Sequence, residues 1–131
     1  MSDHRAPGQK SRGRLVTSFR FAFRGIGALL RTQANARIHF AATLAVIVAG
    51  LVLGITRLEW CAISSAVGLV WIAEGLNTAI ECVVDLASPD VHPLAGRAKD
   101  IAAGAVLIAA LIAAIIGALV FCPHLPALLP Q

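Results

Sequence analysis

Three long apolar stretches constrain this chain more than any other feature: Ile38 to Ile55, Trp60 to Val84 and Ile101 to Phe121. A bilayer core about 30 Å thick is crossed by roughly 20 predominantly apolar residues of helix. Each stretch reaches or approaches that length. In a chain of 131 residues, 58% apolar and 14% charged, against about 25% charged in ordinary soluble domains, one water-soluble core could not hide so much apolar surface. Disorder and a collagen-like fibre are excluded by the same composition. The reading is an all-α integral membrane protein of one domain, with three transmembrane helices and a surface helix before them.

The first stretch carries one ionisable group, His39, in its opening turn, and the third carries none. The second contains Glu74, Asn77 and Glu81. The link from Thr56 to Glu59 has room only for a tight turn, so the first two spans are expected to be antiparallel neighbours. The link from about Asp85 to Asp100 holds Pro89, Pro93 and Gly96 and reads as a surface loop. Pro93 suits the first turn of the third helix, where its missing N–H is no loss. Residues 1–13 read as a basic, disordered N-terminal segment, 14–122 as the membrane domain and 123–131 as a short tail. A cleaved signal peptide is not expected, because a long polar or mixed segment precedes the first apolar run.

Eight of the eleven basic residues precede the first span, namely Arg5, Lys10, Arg12, Arg14, Arg20, Arg24, Arg31 and Arg37. The first 40 residues therefore carry +7 and the remainder −3. Lys/Arg excess marks the cytoplasmic side. The N-terminus and the Asp85 to Asp100 loop are expected inside, the Thr56 to Glu59 turn and the C-terminus outside. Within the basic segment Leu15, Phe19, Phe23, Ile26 and Leu30 recur at helical spacing. This is the apolar stripe of an amphipathic helix over about 14–34, lying in the headgroup layer with its arginines toward anionic lipid or phosphate. Two roles stay open for it: an anchor and topology signal only, or a direct part in binding substrate.

Glu74, Asn77, Glu81 and Asp85 fall at i, i+3, i+7 and i+11 of the second span. At 3.6 residues per turn they share one face and extend ~16 Å along the axis, from inside the hydrocarbon to its surface. A mid-bilayer carboxylate costs at least a few kcal/mol, so this face calls for water, a cation or a basic partner. The structural alternative has Asn77 hydrogen-bonding across a helix interface, with protonated glutamates as glue. A helical hairpin would bring Arg97, Lys99 and Asp100 beside Glu81 and Asp85.

Several acids for a divalent cation, a lysine for phosphate and a buried carboxylate to take a hydroxyl proton suit phosphoryl transfer from Mg·ATP. Glu74 is the deepest acid, so the hydroxyl it serves should belong to a lipid alcohol. No Walker-type or kinase glycine loop is present, which makes the nucleotide site one of an unusual kind. A reading from another class is a small oligomeric ion or proton pathway lined by the same acidic face. Lys99 and Asp100 discriminate, since a channel needs no phosphate-sized basic site at one mouth. Nothing points to a nucleic-acid partner.

The run from Glu74 to Asp85 has the pattern ExxNxAIExxVD, and Gly96 to Asp100 reads GRAKD eleven residues later. With His92 between them, this combination resembles the prokaryotic diacylglycerol kinase and undecaprenol kinase family, over about Arg14 to Phe121. The resemblance implies a homotrimer of three-span subunits in the bacterial cytoplasmic membrane, with composite active sites at its cytoplasmic face and Mg·ATP as donor. It further implies that Glu74 is the proton acceptor and Glu81 a ligand of metal and ATP. Lys99, Asp100, Asp90, His92 and Arg14 would be ATP contacts, with Asn77 and Asp85 as orienting groups. One departure stands out: where the family has a second metal-binding glutamate before the first span, this chain has Gln33, a neutral and weaker Mg²⁺ ligand. The stretch TQxNxRIH from Thr32 to His39 and the Phe121-Cys-Pro ending resemble the undecaprenol kinase branch more than the diacylglycerol kinase branch.

Cys61, Cys82 and Cys122 have no metal-ligand spacing and read as small apolar residues. His39 reads as an interfacial residue and His124 as part of an external tail, neither inviting a catalytic role. Gly50 and Gly54 form one GxxxG, compatible with close helix packing. Trp60 stands where an interfacial anchor belongs.

Overall fold

A computed structural model of the chain describes the backbone of residues 7–128 and the side chains of residues 14–126. The described residues form helices joined by short connections: α1 (Pro7–Thr32), α2 (Ala34–Leu53), α3 (Arg57–Ala87), α4 (Pro93–Phe121) and a closing 3₁₀ segment (Cys122–Leu128). Residues 1–6 of the basic N-terminal segment lie outside the described residues, and Pro7 to Gly13 form the opening turns of α1.

α1 forms a unit of its own. Leu15, Phe19, Phe23 and Ile26 of the expected stripe are exposed along it, as are Val16 and Phe21 outside the stripe. Ser18 and Thr32 return their hydroxyls to the carbonyls of Arg14 and Ala28, so neither draws the backbone out of the helix.

The second unit begins at Gln33. Gln33 alone leaves helical geometry, at φ −101° and ψ 122°, and α2 starts directly after it. The helix therefore opens four residues before the apolar stretch that announced it. It closes earlier as well, because Gly54 takes the left-handed conformation at φ 63° and the N–H groups of Gly54 and Ile55 both reach the Gly50 carbonyl. Glycine meets no Cβ penalty there.

The turn into α3 is shorter than the sequence reading had it. Thr56 is the N-cap, its hydroxyl accepting from the Glu59 N–H while the Glu59 carboxylate accepts from the Thr56 N–H at 2.7 Å. This reciprocal box satisfies two donors that the first turn would otherwise leave orphaned. The second connection is also compressed. α3 runs on to Ala87 and Pro93 opens α4 as expected, so only Ser88 to His92 form the loop and Arg97, Lys99 and Asp100 stand on α4.

α3 and α4 make the principal packing pair, and α2 leans on it more lightly. Ile55, Ile63 and Val120 form the buried core near the α2–α3 turn, with Trp60, Val67, Ile116 and Phe121 packed around them. Gly50 serves this core rather than a GxxxG seam: a Cβ there would stand 2.8 Å from the Trp60 ring. Large apolar side chains on all three helices point outward, among them Val48, Leu51, Leu76, Val83, Leu107 and Leu119. Ala34–Leu53, Arg57–Ala87 and the helix from Pro93 are each long and apolar enough to cross a membrane. An outer surface of this kind is stable in hydrocarbon, where water would drive it to aggregate.

Candidate active site

The site grows from the one polar face of α3. Each helical residue turns ~100°, so Glu74, Asn77 and Glu81 return to the same side in successive turns, and α2 and α4 cover that side. Glu74 is 1% exposed, the most deeply buried large side chain described. Its Oε2 has no hydrogen-bond partner, nor have the buried Oδ1 of Asn77 and Oγ1 of Thr78. Buried polar atoms are nearly always paired, and two of these three belong to residues, Glu74 and Asn77, that border one cavity.

Glu81 is handled differently. Its Oε1 accepts from Asn77 Nδ2 at 3.0 Å and its Oε2 from Gln33 Nε2 at 3.2 Å. The carboxylate is thereby oriented by two neutral amides, one from its own helix and one from the entry of α2.

A cavity of about 280 Å³ joins Glu74, Asn77 and Glu81. Asn35, Ile38 and His39 bound it from α2, Glu74, Asn77 and Glu81 from α3, and Val106 and Ala110 from α4. Toward the loop, Lys99 Nζ lies 2.7 Å from Asp85 Oδ1. This is the meeting of helix-hairpin partners expected from the sequence, and it leaves an ammonium one turn beyond Glu81.

The other expected site residues are more dispersed. Asp90 and His92 are exposed in the connecting segment, where the His92 ring accepts the Leu94 N–H and caps α4. Asp100 is exposed on α4, one residue past Lys99. Arg14 is exposed on α1, which is a separate unit.

Asn35, expected only as part of the TQxNxRIH stretch, and His39, expected to be interfacial, both border the cavity. Asn35 and His39 stand four apart on the α2 face that bounds the cavity. Their i, i+4 spacing on a helix leaving Gln33 was the available signal.

The donor set bears on the implied Mg²⁺. Among the described residues no three His, Cys, Asp or Glu side chains cluster as a metal cage. One carboxylate beside an amide that can turn its oxygen outward fits a Mg²⁺ that arrives with nucleotide phosphates and keeps much of its water.

The family model for prokaryotic diacylglycerol kinase matches residues 20–121, from within α1 to the end of α4. The chain belongs to the prokaryotic diacylglycerol kinase family. Among curated relatives it is 46% identical over 112 residues to the undecaprenol kinase of Bacillus subtilis, covering 86% of this chain and 91% of that protein. It is 43% identical over 116 residues to a diacylglycerol kinase of Synechocystis, covering 88% of this chain and 66% of the relative. With the diacylglycerol kinase of Escherichia coli K12 the identity is 34% over 111 residues, or 85% and 91% of the two chains. Membership of this kinase family makes the chain a phosphotransferase with an alcohol group as acceptor, and its three apolar helices make it a multi-pass membrane protein. The ion pathway set beside this reading finds no support in the family.

Proposed function

We propose that the protein transfers the γ-phosphate of Mg·ATP to the hydroxyl of a lipid embedded in the bilayer, with undecaprenol favoured over diacylglycerol. The observation that carries this reading is the unpartnered Glu74 carboxylate oxygen, buried in a cavity beside Glu81. An acid at that depth has no aqueous substrate to serve. As base, Glu74 takes the proton from the lipid hydroxyl while that oxygen bonds to the γ-phosphorus and the bond to the β-phosphate bridging oxygen breaks, releasing ADP.

Asn77 and Gln33 hold Glu81 so that its carboxylate faces the incoming nucleotide. Glu81, with Gln33 beside it, would hold Mg²⁺, which when bound neutralises phosphate charge. Lys99 adds a cation toward the phosphates, and its partner Asp85 keeps the ammonium in place between turnovers. Asp100, Asp90, His92 and Arg14 contact ATP in this scheme, and the protein works as a homotrimer with composite sites. The N-terminus is cytoplasmic, in keeping with the basic residues of α1, and α1 lies at the inner surface of the bacterial cytoplasmic membrane.

Undecaprenol is favoured by the identity with the Bacillus subtilis enzyme. The test is transfer from γ-labelled Mg·ATP by the protein in bicelles, with undecaprenol and dioleoylglycerol offered separately. Undecaprenyl phosphate as the faster product supports the assignment, and faster labelling of the diacylglycerol reverses the preference.

A further inference from the structure

A base that has taken a proton must give it up before the next turnover, and Glu74, 1% exposed on the middle turns of α3, has no direct way to water. Its neighbours in the cavity narrow the choice of a receiver. Asn77 has no group that takes a proton, and Glu81 keeps both oxygens engaged by the amides of Asn77 and Gln33. From α4 the cavity is bounded by Ala103, Val106, Leu107 and Ala110, none of them titratable. From α2 it is bounded by His39.

Two interhelical bonds fix the level of that histidine. Gln33 meets Glu81 at 3.2 Å, and Thr43 meets Trp71 at 3.0 Å. Ten residues separate the two bonds on each side, so α2 and α3 run antiparallel with equal rise between them. Going from Gln33 to His39 therefore matches going back from Glu81 to Gly75, which sets His39 level with Glu74. The turn is held further by the Thr43 hydroxyl, which donates to the His39 carbonyl at 2.7 Å. Gln33 and Glu81, the groups proposed for Mg²⁺, lie ~9–10 Å along their segments from this level at 1.5 Å per residue.

His39 also has an outlet. It is half-buried, and Asn35, one turn nearer the start of α2, is exposed. On its other side it borders a second space of about 320 Å³, whose other polar groups, Thr43 and Trp71, are bonded to each other.

We infer that His39 receives the proton from Glu74 after each transfer and passes it to water at the entry of α2. The inference rests on the lipid kinase reading and adds the step that resets its base. The O–H bond formed on Glu74 breaks, the proton joins a free ring nitrogen of neutral His39, and the imidazolium so formed releases it, leaving both groups as they began. Imidazole is the usual carrier of protons near neutral pH. A cavity of about 280 Å³ has room for several waters at about 30 Å³ each, so ring and carboxyl need not touch.

His39→Gln keeps a polar side chain of similar size that cannot carry the proton. With enzyme in excess over Mg·ATP, the first transfer to undecaprenol draws on Glu74 already ionised and should proceed within about twofold of the wild-type rate. Steady-state kcat should fall about 100-fold, the lower end of what acid–base groups contribute, with KM for the lipid unchanged. Imidazole in the buffer should restore turnover in proportion to its unprotonated fraction, which a structural role would not produce. Unchanged steady-state turnover in His39→Gln overturns the inference and leaves the kinase reading intact. So does a first transfer slowed as much as turnover, and so does lost turnover that imidazole does not restore in a variant with a lowered unfolding midpoint.

A measurement that needs no transfer separates the two readings. The His39 ring titration, followed by NMR of ¹³C-histidine protein in bicelles and assigned by its loss in His39→Gln, should shift in Glu74→Gln. A shift in a protein that phosphorylates no alcohol would keep the proton-sharing pair and remove the kinase reading. An unmoved titration beside normal wild-type transfer would remove the pair alone.

Discussion

Gln33 Nε2 donates to Glu81 Oε2 across 3.2 Å, joining the residue before α2 to the last two turns of α3. An amide in this position closes the helix pair without a cation. A glutamate would set two carboxylates against each other. Gln33→Glu is therefore expected to lose about 1–3 kcal/mol of stability in EDTA, the cost of a half-buried carboxylate opposed rather than paired. Mg²⁺ should restore it, and the Mg²⁺ concentration for half activity should fall below that of the wild type. Thermal unfolding with and without Mg²⁺, beside a Mg²⁺ titration of activity, checks both; an unchanged Mg²⁺ requirement counts against a metal role for this position.

Gly50 lies beneath Trp60, where an added Cβ would stand 2.8 Å from the ring and 3.1 Å from Ile55 Cδ1. Gly50→Ala should destabilise by about 1–3 kcal/mol, the usual range for an overfilled core. Trp60→Leu in the same chain should recover part of the loss, because the smaller side chain vacates the contested space. Unfolding midpoints of the single and double variants in one detergent decide it.

Lys99 and Asp85 are paired at 2.7 Å with both side chains substantially exposed. Exposed pairs of this kind add little to stability, so Lys99→Met should leave the unfolding midpoint almost unmoved. Its expected cost is in nucleotide handling, a fall in kcat/KM for Mg·ATP of about 100-fold with the KM for the lipid unchanged. Equal damage to midpoint and activity would make the pair structural.

The three spans were legible because twenty-residue apolar runs leave little else to form, and the acidic face of α3 because helical periodicity alone aligns Glu74, Asn77, Glu81 and Asp85. Helix ends were less so. Gly54 terminates α2 inside an apolar run, and Thr56 with Glu59 starts α3 by a box whose T-x-x-E spacing also suits a tight turn. Contacts between distant residues left no periodic trace. The Gln33–Glu81 bond spans 48 positions, and the seating of Trp60 over Gly50 depends on how α2 meets α3. His39 read as interfacial because a histidine at a span entry has that ordinary use, and its place between the two cavities follows only from the packing of all three helices.

The central claim is that Glu74 removes the acceptor proton. Glu74→Gln keeps the shape and the burial while removing the base, so single-turnover transfer from Mg·ATP to undecaprenol should slow by about 10²–10⁴-fold, with the dissociation constant for Mg·ATP within about twofold of wild type. A variant that transfers phosphate at the wild-type rate would contradict the account.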